Sequence, residues 1–137
     1  MNNIAYILTP VQFGGSEKVS LTFLKSVNRD RFNIHLILLV RPWEKENIFI
    51  EQIKDANYSI KTIPVAQKSK DKGRDYFRIA RCVFYLHRIL SEEVYDIIHT
   101  NGYFADIIAA PLGKYFGIPH ISTCHGYISN DLNLRFY

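Results

Sequence analysis

Cysteine is scarce in this chain, and the scarcity excludes two classes at once. Cys82 and Cys124 are too few for a disulfide framework. No Cys-x-x-Cys pair accompanies them, as a structural zinc site would require. Cys124 and His125 are adjacent, so a continuing strand projects them to opposite faces, and nothing marks a base beside Cys124 for nucleophilic catalysis. No metal site is expected. No apolar run is long enough to span a bilayer. The N-terminus lacks a basic n-region, and Ile4 to Leu8 is too short for the h-region of a signal peptide. These absences predict reduced thiols and a cytoplasmic location, with a peripheral contact at the inner face of a membrane left open. Blocks of like charge, internal repeats and low-complexity segments are missing too. So are Gly-x-Gly-x-x-Gly and the lysine-bearing phosphate loop, which argues against a nicotinamide enzyme and a Walker-type ATPase. No cofactor is expected.

What is present is the composition of an ordinary globular domain. The 137 residues are 47% hydrophobic and 22% charged, enough for one compact unit with a sizeable core. The formal net charge of +4 favours anionic partners such as nucleotides, phosphorylated sugars or an acidic membrane surface, without choosing among them.

Strand and helix signals alternate along the whole length. Ile4 to Leu8 read as a first strand, followed by a glycine loop and a helix with Val19, Phe23, Leu24 and Val27 at inward spacing. Phe32 to Val40 form a second strand, broken at Arg41-Pro42. Trp43 to Ala56 read as a helix with Phe49, Ile50, Ile53 and Ala56 inward. Tyr58 to Ile63 make a third strand, and Ala66 to Lys72 an exposed loop. A long helix runs from about Arg74 to Ser91, its apolar face including Phe77, Val83, Phe84, Leu86, Ile89 and Leu90. Asp96 to Thr100 form a fourth strand. Asn101 is placed to cap a helix from about Tyr103 to Tyr115, which Gly117 stops. His120 to Cys124 form a fifth strand.

Several strands are continuous apolar runs, as expected where helices cover both faces of a parallel sheet. The pattern predicts an α/β, doubly wound, Rossmann-like domain over residues 1–137. The longest connection joins strands three and four, which implies the order 3-2-1-4-5 and a switch point between strands one and four. Ligands of such sheets bind outside the carboxyl ends of the strands at that point. Three glycine-bearing turns converge there: Gly14-Gly15 after strand one, Asn101-Gly102 after strand four and His125-Gly126 after strand five. Glycines at the first turn let the backbone adopt φ > 0 and approach a ligand, and the helix behind offers free N–H groups to a phosphate. A tight turn capped by Ser16 would leave the same pattern.

Among the histidines, His125 lies just beyond the last strand, where it can reach a ligand as donor or acceptor near neutrality. His99 lies near the end of strand four, close to the same rim. His35, His87 and His120 read as structural. Arg74, Arg78, Arg81 and Arg88 form one stripe on the long helix. A solvated amphipathic face explains it, and docking on an anionic membrane is the alternative. No nucleic-acid partner is expected, because the tyrosines and phenylalanines are assigned to core elements.

Together these residues resemble the N-terminal half of a two-domain, GT-B-fold glycosyltransferase of family 4. Phe13-Gly14-Gly15-Ser16-Glu17-Lys18-Val19 is similar to that family's glycine-glycine-x-glutamate loop. Tyr95 to Asn101 are similar to its strand of aspartate, two aliphatics and histidine. Gly117 to Gly126 are similar to its glycine-isoleucine-proline strand ending in histidine-glycine. The resemblance implies transfer of a sugar from a nucleotide-sugar donor to a glycan or lipid-linked acceptor, with retention at the anomeric carbon. It assigns Gly14 and Gly15 to the donor diphosphate and His125, the one catalytic candidate, to the donor sugar. Asn101, Gly102, Tyr103 and Gly126 become cleft-lining residues on the acceptor side. The work implied is assembly of an envelope polysaccharide.

Members of that family carry a second domain that holds most of the nucleotide, and the sequence ends at Tyr137 before any such domain. The chain is therefore expected to act as a fragment that needs a C-terminal donor domain or a partner chain, and to self-associate through uncovered surface. Two other readings stay open. One is a non-catalytic Rossmann-like binding module. The other is a fragment of a GT-B sugar-nucleotide epimerase, which would need carboxylates at the cleft, and only Glu17 and Asp106 lie near the rim.

Overall fold

The computed structural model describes residues 1–10, 14–41, 48–54, 56–65 and 75–124. Five strands alternate with four helices: β1 (Asn2–Leu8), α1 (Gly15–Ser26), β2 (Phe32–Val40), α2 (Ile48–Lys54), β3 (Ser59–Pro64), α3 (Asp75–Glu92), β4 (Ile97–Asn101), α4 (Tyr103–Phe116) and β5 (His120–Thr123). The sheet order is β3-β2-β1-β4-β5 and every pairing is parallel. The expected fold class, order and switch point are all present.

Parallel strands need crossover helices, and right-handed crossovers dictate the faces. Moving from β1 through β2 to β3 puts α1 and α2 on one side. Returning to β4 and β5 puts α3 and α4 on the other. The alternation of β1 feeds both layers. Ile4, Tyr6 and Leu8 pack with Leu21, Leu24, Phe49 and Ile53, whereas Ala5 and Ile7 pack with Cys82, Leu86, Leu90, Ile108 and Leu112. In β2, the four residues Leu36, Ile37, Leu38 and Leu39 are all fully buried. Each such side chain contributes about 1.5–3 kcal/mol of transfer free energy, which is why these strands read as unbroken apolar runs. Burial also pushes the Cys82 thiol pKa up, slightly offset by Arg81, so it behaves as a core residue.

Helix orientation departs from the expected faces at two helices. Val19 is 53% exposed, and α1 buries Glu17, Ser20, Leu21 and Leu24 instead. Phe77 and Phe84 are 76% and 60% exposed, because α3 turns Cys82, Leu86 and Leu90 to the sheet and those phenylalanines fall on its opposite side. In α2, Phe49 and Ile53 are buried as expected, but the helix ends before Ala56, where Asn57 adopts φ 57°. The expected start of that helix at Trp43 lies outside the described residues. Gly117 does terminate α4. Its φ of 68° suits glycine, its N–H turns back to Gly113 and Lys114, and Ile118 N–H donates to Gly113 O at 2.8 Å.

The opposite end of the sheet is held by charge. Glu93, in the α3–β4 connection, accepts from Lys61 Nζ at 2.9 Å and Tyr95 OH at 3.3 Å, and lies 2.8 Å from His35 Nδ1. His35 is thus a structural residue. His87 packs its ring against Tyr115 and Phe116, joining α3 to α4.

Candidate functional site

Leu8 at the end of β1 pairs with Asn101 at the end of β4, and Asn101 pairs with Thr123 of β5. The chain leaves β1 toward one face and β4 toward the other. The two connections diverge, and the space between them is the crevice typical of a switch point.

The wall on the β1 side is the start of α1. Gly14 is the N-cap and is extended, with φ −103° and ψ −160°. Neither it nor Gly15 has a positive φ; among the described residues the positive-φ glycines are Gly102 and Gly117. The expected left-handed turn is therefore not what these two glycines supply. The first bond within the helix runs from Lys18 N–H to Gly14 O at 3.1 Å, so the N–H groups of Gly15, Ser16 and Glu17 precede it. The Gly14 N–H is taken by Glu17 Oε2 at 3.1 Å, and the Ser16 hydroxyl donates to the same oxygen at 2.8 Å. Glu17, at the third helical position, thus reaches back to cap its own helix. Ser16 is not the cap. A Cβ added at Gly15 meets no described atom within 4 Å. Neither steric crowding nor backbone strain within the described residues requires glycine there.

Beneath this turn lies a buried polar triad. Tyr6 OH donates to Ser20 Oγ at 3.0 Å. Asn101 Nδ2 donates to Tyr6 OH at 3.2 Å and also to Ser20 Oγ. Ser20 Oγ in turn donates to Ser16 O at 2.9 Å. Each hydroxyl donates once and accepts at least once, so these donors are satisfied in a place where an orphan would cost about 1–3 kcal/mol. Asn101 spends its amide on this triad and does not cap α4.

The wall on the β4 side begins at Gly102, the N-cap of α4, with φ 93° and ψ 151°. Here glycine is required by the backbone. Its N–H donates to Thr123 O at 3.3 Å, and its own carbonyl accepts from Asp106 N–H at 3.1 Å. Tyr103 opens the helix, partly exposed at the rim. The structure thus brings Gly14, Gly15, Asn101, Gly102 and Tyr103 to the ends of two neighbouring strands. His125 and Gly126 lie outside the described residues.

Asp106, 3% exposed, anchors the outer side of β4 and β5. It accepts from Thr100 Oγ1 and, at 2.5 Å, from Ser122 Oγ. His120 Nε2 lies 2.8 Å from Thr100 Oγ1 and 3.7 Å from Asp106 Oδ1. His120 is structural, as its place on the strand suggested. On the other face, the His99 ring stands edge-on to Tyr6 and Phe23, and its Nε2 lies 2.8 Å from Thr123 Oγ1. Burial lowers the His99 pKa, His120 lowers it further, and Asp106 partly opposes the shift. Tyr6, Ser20, Thr100 and Ser122 escaped the sequence reading. Their one signal is a polar group at a position where the strand or helix period demands an apolar one.

This arrangement narrows the chemistry. The two carboxylates near the rim among the described residues, Glu17 and Asp106, are buried and committed to local donors. Among the described residues there is no cluster of three or more His, Cys, Asp or Glu that could hold a metal ion. The groups left available among the described residues are backbone N–H donors at two helix starts, which suit anion binding better than proton transfer.

Five parallel strands in this order, with a glycine-started helix on each side of the switch point, form the fold of an N-terminal GT-B glycosyltransferase domain. The chain belongs to Glycosyltransferase Family 4, whose sequence profile matches residues 13–137. Its fold is similar to that of Acinetobacter baumannii MurG, with a TM-score of 0.71 at 15% identity, over 98% of this chain and 38% of that one. It is also similar to the lipopolysaccharide outer core galactosyltransferase WaaB, with a TM-score of 0.65 at 19% identity, over 88% of this chain and 32% of that one. The UDP-GlcNAc 2-epimerase of Neisseria meningitidis, solved with UDP-GlcNAc, gives a TM-score of 0.64 at 11% identity, over 96% of this chain and 34% of that one. The chain thus spans about a third of the length of each of these structures. No protein of curated function matches it in sequence.

Proposed function

We propose that this chain is the acceptor-side domain of a retaining glycosyltransferase. The enzyme moves a sugar from a nucleotide-sugar donor to a glycan or lipid-linked acceptor, in polysaccharide assembly at the cytoplasmic face of a membrane. Gly14 and Gly15 approach the donor diphosphate, and His125 approaches the donor sugar. Asn101, Gly102, Tyr103 and Gly126 line the cleft beside the acceptor. Turnover requires a donor-binding domain, on the same or a partner chain, because this domain supplies only one wall of the cleft.

The observation that carries the reading is Gly15. It stands at a helix start beside the switch point, has an ordinary backbone conformation, and has no described atom within 4 Å of where a Cβ would go. A ligand that needs the backbone bare explains a glycine that the described fold does not need. The epimerase reading is less favoured, since Glu17 and Asp106 are both engaged in local hydrogen bonds.

The test is Gly15→Ala, assayed with a donor domain present. The melting temperature should hold or rise slightly, because alanine fits and restricts the unfolded chain. Consumption of the nucleotide-sugar should fall at least about tenfold, the loss expected when about 1.4 kcal/mol of diphosphate contact is removed. Unchanged consumption sinks the assignment of the loop. Absence of any nucleotide-sugar consumption or hydrolysis by the wild type sinks the enzymatic reading.

A further inference from the structure

The hydroxyl of Ser20 lies where three elements meet, and its whole hydrogen-bonding capacity is used. Tyr6 of β1, Ser20 of α1 and Asn101 of β4 are all buried. With the Asn101 amide nitrogen turned toward both hydroxyls, Nδ2 donates to Tyr6 OH and to Ser20 Oγ. Tyr6 OH then donates to Ser20 Oγ, and Ser20 Oγ, having accepted two bonds, donates its single O–H to Ser16 O. Every pair within the triad is bonded, so the three side chains form a closed ring. That ring reaches both walls of the crevice. Ser16 follows Gly15 in the first turn of α1. Asn101 is the last residue of β4 and directly precedes Gly102, the N-cap of α4. The ring therefore ties together two helix starts that leave the sheet on opposite sides.

We propose that Tyr6 and Ser20 are positioning residues, which hold the Gly15 turn and the Gly102 turn at the separation that a bound nucleotide-sugar requires. The inference rests on the glycosyltransferase reading of this crevice. A buried polar trio is a poor device for stability alone. Hydrogen bonds exchanged for those to water contribute little net, and apolar side chains of the same shape would fill the space at nearly the same free energy. What a satisfied polar ring supplies is one fixed arrangement, because a shift of α1 along the sheet breaks directed bonds that apolar contacts would not resist. Backbone N–H groups at a helix start serve an anion only within hydrogen-bond distance. A misplacement of about 1 Å at such a site costs about a hundredfold in rate. Tyr6 and Ser20 act through the two turns, beneath the ligand.

The test measures nucleotide-sugar consumption by the full chain with a donor domain present, well below the melting temperature of each variant. Tyr6→Phe keeps the ring against Phe23 and His99 and removes the hydroxyl alone. It should lower kcat/KM about threefold, because Asn101 still reaches Ser20. Ser20→Ala removes every bond that joins α1 to the other two members, and should lower kcat/KM at least about tenfold. The deciding measurement is a double-mutant cycle with Gly15→Ala. If Ser20 and Tyr6 act through the Gly15 turn, adding either substitution to Gly15→Ala should cost less than about twofold more, whereas a purely structural loss multiplies. Should Ser20→Ala melt below the assay temperature, the Tyr6→Phe cycle decides alone. Multiplicative effects, or wild-type kcat/KM in the single variants, overturn the proposal and leave the glycosyltransferase reading standing. A wild type that consumes no nucleotide-sugar overturns that reading and the proposal with it.

Discussion

Glu17 Oε2 accepts the backbone N–H of Gly14 at 3.1 Å, so the first turn of α1 is closed by a residue inside that turn. The glycine at the N-cap has no side chain to offer, and the glutamate three residues on does the capping in its place. Its negative charge also sits at the positive end of the helix dipole. The glycine-glycine-x-glutamate pattern is thereby a structural unit as well as a candidate ligand loop: one residue fixes the turn that the other two leave bare.

Glu17→Ala should therefore destabilise the domain by about 0.5–2 kcal/mol, the range of a lost helix cap. Glu17→Gln should retain most of that, since an amide oxygen still accepts from Gly14 and Ser16. Urea melts should show the alanine midpoint falling with the slope unchanged. A midpoint equal to wild type would mean that the cap contributes nothing.

Gly113 gives the opposite result to Gly15 under the same substitution. A Cβ at Gly113 would lie 3.1 Å from Ile118 O, 3.5 Å from His120 Cβ and 3.6 Å from Ile98 Cδ1. The nearest of these is backbone in the turn closed by Ile118 N–H, and it has little room to move. Alanine gains about 1 kcal/mol of helix propensity there, and the crowding should exceed it, for a net loss of about 1 kcal/mol. Thermal melts of Gly113→Ala and Gly15→Ala, compared side by side, test this; a rise for Gly113→Ala contradicts it.

Acid should weaken the clamp made by Glu93. Hydrogen bonding from Lys61 lowers its pKa from the ordinary glutamate value; burial, next in size, opposes this, and the charges of His35 and Lys61 and the Tyr95 hydroxyl lower it further. A carboxylate with a depressed folded-state pKa contributes stability that is present above the unfolded value. That contribution disappears as pH falls through the folded value. The Glu93 side chain is 36% exposed, so solvent screening limits the contribution to about 1 kcal/mol or less. Glu93→Gln should thus be less stable than wild type near neutral pH, and the gap should close below the ordinary glutamate pKa. Lys61, raised by the same hydrogen bond, loses its share only as pH climbs above the ordinary lysine range. A gap that persists unchanged in acid would mean that charge plays no part.

Much of this was legible in the chain itself. Leu36 to Leu39 announce a strand buried on both faces, and the long β3–β4 connection together with right-handed crossovers leaves few strand orders. Gly117 could be placed as a stop because glycine at a left-handed position follows from local chemistry. Local signals of this kind depend on neighbours in sequence, so a sequence contains them.

The faces of the helices and the partners of the polar residues were decided by the fold. α3 has apolar residues around most of its circumference, so periodicity alone cannot choose a side; the sheet chose Cys82, Leu86 and Leu90, and left Phe77 and Phe84 outside. Asn101 ends a strand just before a helix, which in sequence makes it a candidate cap, yet its amide reaches Ser20, 81 residues away, and Tyr6. Hydrogen bonds within one turn can be read from spacing. Those that cross the sheet exist only once β1, α1 and β4 have been brought together, because burial alone gives Asn101 a reason to turn away from the helix beside it.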